Sequence, residues 1–260
     1  MSRAPAIRTP LVVFSDQELG LWGVAVGGGD GQPGELWLAS TGEGNTPPAR
    51  AETNLEMDGE LWRVTGPGHE LTVAPRAAAA QNPDAGDELE LCTVTGTVAI
   101  GESGPAAIDE AAHQVELNGS RCAALPSGKL GSVRLLSAWF PGEAAVTLLA
   151  ARPHNASGQD KDRITVAALG ESEGVKLFDP RLSTTYDGRG YPRRAGIEMW
   201  VGADEEGDLL PRRVAGALLD ATPIEAATAT DGPLENLRAH PLHCVSRGEA
   251  GTGVYLLLRA

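Results

Sequence analysis

Basic charge is scarce in this sequence: 21 Lys and Arg stand against 35 Asp and Glu, a formal net charge of −14. A nucleic-acid partner is not expected, because binding one calls for a basic patch. The same sign disfavours docking to an anionic membrane surface. Aromatic residues make up only 4%, so a core has to be built largely from Ala, Val and Leu. Cysteine occurs three times, at Cys92, Cys122 and Cys244. An odd number at wide spacing, with no export signal, implies reduced thiols and a cytoplasmic location. Residues 1–10 contain no apolar run of signal-peptide length. The longest apolar runs, such as 144–151, fall far short of a membrane-spanning helix.

Familiar catalytic and cofactor signatures are missing too. The sequence has no G-x-S-x-G, C-x-x-C, H-E-x-x-H or G-x-x-x-x-G-K, and no dinucleotide fingerprint. Gly27-Gly28-Gly29 sits in an acidic turn with no helix after it, so it is no phosphate cradle. These absences argue against common hydrolases, NTPases and nicotinamide enzymes, and no cofactor is expected. His240-Pro241-Leu242-His243-Cys244 places three possible zinc ligands in five residues. On a strand, however, His240 and Cys244 share one face while His243 points away. No metal is therefore expected, and the stretch reads as a turn before the last strands.

What is present is punctuation. The 33 Gly and 18 Pro are spread along the chain rather than clustered, as they are between the short strands of an all-β sandwich or barrel. The length of 260 residues suits two domains. Strand-like stretches fall at 11–14, 21–26, 35–39, 60–65, 70–73, 88–100, 132–140, 145–151, 164–169, 175–178, 197–201, 212–219 and 253–258. Within 88–100 the apolar alternation slips near Gly96, where a bulge would fit. Residues 106–117 suit a helix face or an extended strand equally. Residues 233–239 read as a short helix with proline near its start, and 76–86 as a loop or linker. The fold expected is all-β, with an N-terminal domain over 1–128 and a C-terminal domain over 129–260, divided near Pro126-Ser127-Gly128.

An internal similarity supports two units. Shifting the chain by 163 residues places Glu35, Trp37, Glu43, Gly44, Pro48, Arg50 and Leu55 on Glu198, Trp200, Glu206, Gly207, Pro211, Arg213 and Leu218. Either a duplicated β unit or two hairpins with acidic turns would explain it.

Leu177-Phe178-Asp179-Pro180, the run from Thr185-Tyr186-Asp187-Gly188 to Glu198-Met199-Trp200, and Pro211-Arg212-Arg213-Val214-Ala215-Gly216 resemble the second-domain signature of the lipocalin-like AttH and carotenoid-hydratase (hydroxyneurosporene synthase-like) group. The texture covers roughly residues 130–220. The resemblance implies tandem calycin-type β domains and an apolar small-molecule ligand, isoprenoid- or polyketide-like. It also implies cofactor-free hydration, isomerisation or cyclisation as the chemistry to look for.

Candidate site residues follow from the same half. Tyr186-Asp187-Gly188 is either a hairpin corner or an acid beside a phenol at a cavity rim; as an acid, Asp187 would need an apolar surround to raise its pKa. His154 lies in a dense polar loop, where β scaffolds often carry function. Trp139, Trp200 and Tyr191 could offer aromatic faces to a cationic intermediate, or be packing residues. Arg213 pairs with a surplus carboxylate or holds an acidic headgroup. The expectation is Asp187, Tyr186 and His154 as catalytic groups, with Trp139, Trp200, Tyr191 and Arg213 around the ligand. The other reading is a non-catalytic binding or protein-interaction module.

Overall fold

The computed structural model describes residues 9–28, 33–41, 47–76, 80–81, 89–99, 112–125, 130–156, 161–169, 176–202, 208–227 and 236–259. These form β1 (Leu11–Asp16), β2 (Leu21–Val26), β3 (Gly34–Ser40), β4 (Ala49–Asp58), β5 (Leu61–Gly66), β6 (His69–Pro75), β7 (Ala80–Gln81), β8 (Leu89–Ala99) and β9 (Ala112–Cys122) in the first half. The second half holds β10 (Leu130–Trp139), β11 (Ala145–Pro153), β12 (Arg163–Leu169), β13 (Lys176–Tyr186), β14 (Pro192–Gly202), β15 (Leu210–Leu218), β16 (Ile224–Ala227), β17 (Asn236–Ser246) and β18 (Glu249–Arg259). A single 3₁₀ turn, Pro141–Glu143, is the only helical element among the described residues. The protein is all-β.

Strands β1 to β6, β8 and β9 close into an antiparallel barrel, with β9 returning to β1. The second sheet runs β13-β14-β15-β17-β18-β10-β11-β12-β7, with β16 paired to the start of β17. It curls so that its end strand β13 comes back against β12 and β7. Strand β7 belongs to the first half of the chain but pairs with β12. Part of the expected 76–86 linker therefore extends the second sheet.

Apolar side chains fill three layers. One lies inside the barrel, around Phe14, Trp62, Leu71, Val94 and Leu117. Another lies inside the curled sheet, around Leu136, Leu148, Ile197, Met199 and Tyr255. The third lies between the two, where Trp22, Trp37 and Leu91 meet Leu135, Trp139 and Leu256. A Ser15–Thr252 hydroxyl pair, 2.9 Å apart, crosses that middle layer.

The middle layer accounts for the slip near Gly96. Leu89 and Leu91 face outward into the layer between the domains, while Cys92, Val94 and Val98 face the barrel interior. Both faces of β8 are buried at its start and one is buried further along, so no bulge is needed, and the ladder through Gly96 is unbroken. Gly96 is required for another reason: its φ is +142°, and a Cβ there would lie 2.0 Å from the Glu70 carbonyl oxygen.

Two further expectations change. Residues 112–117 are strand, as part of β9, while 106–111 fall outside the described residues. Residues 236–239 open β17 rather than closing a helix, and the stretch from His240 to Cys244 continues that strand instead of turning. Pro241 is tolerated mid-strand because β17 changes partner there: β16 pairs with residues 236–239 and β15 with residues 242–245.

The strand pairs of the 163-residue repeat, β3–β4 and β14–β15, are both present, while Glu43, Gly44, Glu206 and Gly207 lie outside the described residues. Glu35 pairs with Arg50, and Glu198 with Arg213 at 3.4 Å. The ladders are offset by two residues: Trp37 stands opposite Arg50, whereas Trp200 stands opposite Pro211. Trp37 is buried under the second sheet and Trp200 is 43% exposed.

Candidate functional site

At one end of the curled sheet, β10, β14 and β17 begin and β11, β13 and β18 end. Period-two alternation brings Arg134, Arg152, Thr184, Arg238, His240, Tyr255 and Arg259 to the inner face there, as the burial of Leu136, Ala150, Leu182, Leu242 and Leu257 on the same faces shows. The interior is thus apolar along most of its length and polar at this end.

The polar groups form a chain. The Asp162 carboxylate, 1% exposed, binds the Arg134 guanidinium and accepts from Arg152 Nε at 2.8 Å and Nη2 at 3.2 Å. Arg134 Nη1 donates to Thr184 Oγ1 at 3.5 Å, and Thr184 Oγ1 donates to the Tyr255 hydroxyl at 3.2 Å. The Tyr255 and Tyr186 hydroxyls lie 3.3 Å apart. Burial, then the neighbouring Tyr186, pushes the Tyr255 phenol above its ordinary pKa, so it stays a neutral donor. His240 is the cross-strand partner of Tyr255. Burial, reinforced by Arg238, lowers its pKa to about 4 and leaves the imidazole neutral. Among the described residues, its Nε2 and the Nε of Arg134 have no hydrogen-bond partner. Buried polar atoms are normally satisfied, so these two are open valences, one on the Arg134 of the chain and one on the His240 beside Tyr255.

Two stacked pairs cover this end. The Arg259 guanidinium lies 5.8 Å from the Tyr186 ring centre, and Arg238 lies 4.8 Å from that of Tyr191. Arg238 also pairs with Glu225 at 3.1 Å. Beside them is a cavity of about 430 Å³ bounded by Arg238, Arg259, Asn236, Glu225 and the apolar Leu237 and Leu257.

Of the residues expected from the sequence, Tyr186 and Tyr191 are at this site. Asp187 is at its edge, in the β13–β14 turn. Its Oδ1 accepts the backbone N–H groups of Arg189 and Tyr191, both at 2.9 Å, and Oδ2 lies 3.8 Å from Arg193. The Tyr191 amide first, with that of Arg189 and the nearby guanidiniums, holds its pKa below the usual value. That environment favours the ionised turn-former and opposes a proton donor. His154 lies at the same end, in the exposed turn after β11, with no hydrogen bond to Tyr186 or Asp187 among the described residues. Trp139 is at the opposite end of β10 and packs between the domains. Trp200 and Arg213 face outward, Trp200 opposite Phe178 and Arg213 against Glu198. The site is therefore not walled by Trp139 or Trp200.

Sequence reasoning missed Arg134, Asp162, Thr184, His240, Arg238, Arg259 and Tyr255. One signal was available: Arg134 and Tyr255 interrupt otherwise apolar strands, and a charge in such a strand is buried only when paired. Among the described residues no three His, Cys, Asp or Glu side chains gather as metal ligands.

The fold is that of paired lipocalin-like β domains. No family model matches the sequence, and no curated protein matches it. Two solved structures share its architecture. CghA superposes with a TM-score of 0.61 over 97% of this chain and 88% of its own, at 12% identity. A candidate AttH protein from Nitrosomonas europaea gives a TM-score of 0.50 over 99% of this chain and 94% of its own, at 10% identity. At such identities the likeness concerns the fold, and the chemistry has to come from the residues at the site.

Proposed function

We propose that this protein holds a hydrophobic small molecule at the polar end of its second β domain. On it the protein carries out cofactor-free acid–base chemistry of the hydration, isomerisation or cyclisation type. One observation carries the reading: a hydrogen-bonded chain from Asp162 through Arg134 and Thr184 to the Tyr255 and Tyr186 hydroxyls is fixed inside an apolar interior, with unpartnered nitrogens on Arg134 and on the neighbouring His240. Neutral phenols anchored in this way suit a carbonyl or hydroxyl oxygen of the ligand, and stabilise negative charge developing on it without reorganising. In place of Asp187, the proton donor is the Tyr186–Tyr255 pair. The adjoining cavity, about 430 Å³, is within the ordinary range for a small-molecule site. Three buried cysteines outside any disulfide support a reducing, cytoplasmic setting.

The test is native mass spectrometry of the purified protein, followed by identification of any small molecule released on denaturation. Tyr255→Phe removes one donor and should reduce turnover of that compound by about 10²–10³-fold. Retention by Tyr255→Phe with unchanged turnover would refute the catalytic assignment. A non-catalytic interaction module is favoured by a different observation, the outward-facing Trp200 and Leu210, which are 43% and 54% exposed.

A further inference from the structure

The two arginines at the mouth have unequal commitments. Arg238 is paired with Glu225. Arg259 stacks on Tyr186 through the face of its guanidinium, and among the described residues no carboxylate pairs with it. Stacking occupies the π face of a guanidinium and leaves its in-plane N–H donors available. Those donors border the 430 Å³ cavity, together with Asn236 and the inward-facing Leu257. Around the mouth, among the described residues, the five guanidiniums of Arg134, Arg152, Arg193, Arg238 and Arg259 face three carboxylates, Asp162, Glu225 and, at the edge, Asp187. The end of the domain is locally cationic although the chain carries −14. At physiological ionic strength charges are screened over about 8 Å, so a ligand entering here senses the local guanidiniums rather than the distant acidic surface.

From this arrangement we infer that the cavity takes an amphiphilic carboxylate, its head held by Arg259 and flanked by Arg238 and Asn236, its apolar part against the inward-facing Leu257. This rests on the second domain being the ligand site and adds the chemical class of the ligand. A planar carboxylate matches the guanidinium fork, with two parallel charge-assisted hydrogen bonds. The stack on Tyr186 holds that fork in place, so little side-chain freedom is lost on binding. The same stack ties the ligand head to the Tyr186 hydroxyl that faces Tyr255.

Calorimetric titration with octanoate, octanamide and 1-octanol, at low and high salt, tests this. The expected result is preference for octanoate, weakened by salt, with a loss of at least about tenfold in Arg259→Gln and a smaller loss in Arg238→Gln. Circular dichroism and melting confirm that both variants are folded. Octanoate binding undiminished in Arg259→Gln and Arg238→Gln would overturn the inference. Equal binding of all three compounds, lost together in Tyr255→Phe, would also overturn it while leaving the hydrophobic-ligand reading intact. No binding of octanoate to the wild-type protein, when another co-purified molecule is found, would overturn the carboxylate class alone.

Discussion

Replacing Asp162 by Asn tests whether the buried network holds the site together. The Asp162 side chain is 1% exposed and that of Arg134 is 4% exposed, so neither charge has water to fall back on. Removing one partner of a buried pair costs about 3–5 kcal/mol, because the other is left uncompensated. The second partner, Arg152, is 28% exposed, so part of its charge can return to solvent and its share is small. Asn also keeps an acceptor oxygen for one of the Arg152 bonds. The lower end, about 3 kcal/mol, is therefore expected, corresponding to a fall in melting temperature of about 6–12 °C for a protein of this size. Scanning calorimetry and urea unfolding measure it. The double variant Arg134→Met/Asp162→Leu should recover most of the loss, since apolar replacement of a buried pair is often neutral or better. A loss below about 1 kcal/mol in Asp162→Asn, or a double variant no better than the single, would show that the pair does not organise this end of the sheet.

Three other outcomes follow from the same geometry. His240 titrates near 6.5 when unfolded but is depressed to about 4 when folded. The unfolded chain therefore takes up the proton first, and stability is full above pH 6.5 and falls as pH drops toward 4. The slope is at most about 1.4 kcal/mol per pH unit; His69 shifts in the same direction, so the flatter urea-midpoint profile of His240→Gln against wild type isolates His240. Cys92, Cys122 and Cys244 are buried and not in disulfides, and burial pushes Cys244 up to about 12. A thiol-reactive dye should find none of them in the native protein and all three after denaturation. Asp187→Asn keeps a turn-forming acceptor for the amides of Arg189 and Tyr191, so ligand retention and turnover should be unchanged; a loss of turnover would restore Asp187 as the acid.

The all-β architecture was legible because Gly and Pro punctuation and period-two alternation are local. The same locality limited what could be read of the site. Tyr186 stood out through its neighbours in the chain, yet its partners, Tyr255 and Arg259, lie 69 and 73 positions away. They are brought together only because β13 curls back across the sheet from β18. Asp187-Gly188 was correctly suggestive of a corner, and the corner consumes the carboxylate that an acid would need. Trp139 and Trp200 could not be assigned from sequence because each strand has two faces. Both tryptophans stand on the outer face of the curled sheet, which the first domain covers at β10 and leaves open at β14, and that difference depends on packing between the domains. Pro241 looked like a turn because the change of strand partner that tolerates it is a property of the sheet.

A comparison within the molecule shows why the second domain carries the site. The barrel also buries an arginine and a histidine. Arg121 is 3% exposed, stacks 4.7 Å from the Trp62 ring, binds Glu90 Oε2 through Nε at 2.8 Å and donates to the Glu60 and Val73 carbonyls. His69 Nε2 meets Thr53 Oγ1 at 2.8 Å, and its Nδ1 lies 3.2 Å from the Pro67 carbonyl oxygen. Each is committed to closing its own end of the barrel, Arg121 beside Glu90 at the start of β8 and His69 opposite Val98 at its end. Their counterparts in the second domain, Arg134 and His240, are buried to the same degree but keep ring or guanidinium nitrogens without partners. Leaving a buried donor or acceptor unmade costs about 1–3 kcal/mol; Arg121 and His69 avoid that cost in the barrel, where the unpartnered buried polar atoms among the described residues are Ser120 Oγ and Trp22 Nε1 instead. The open valences of Arg134 and His240 are therefore best accounted for by a polar group that enters from the mouth, past Arg259 and Tyr186, and completes the network.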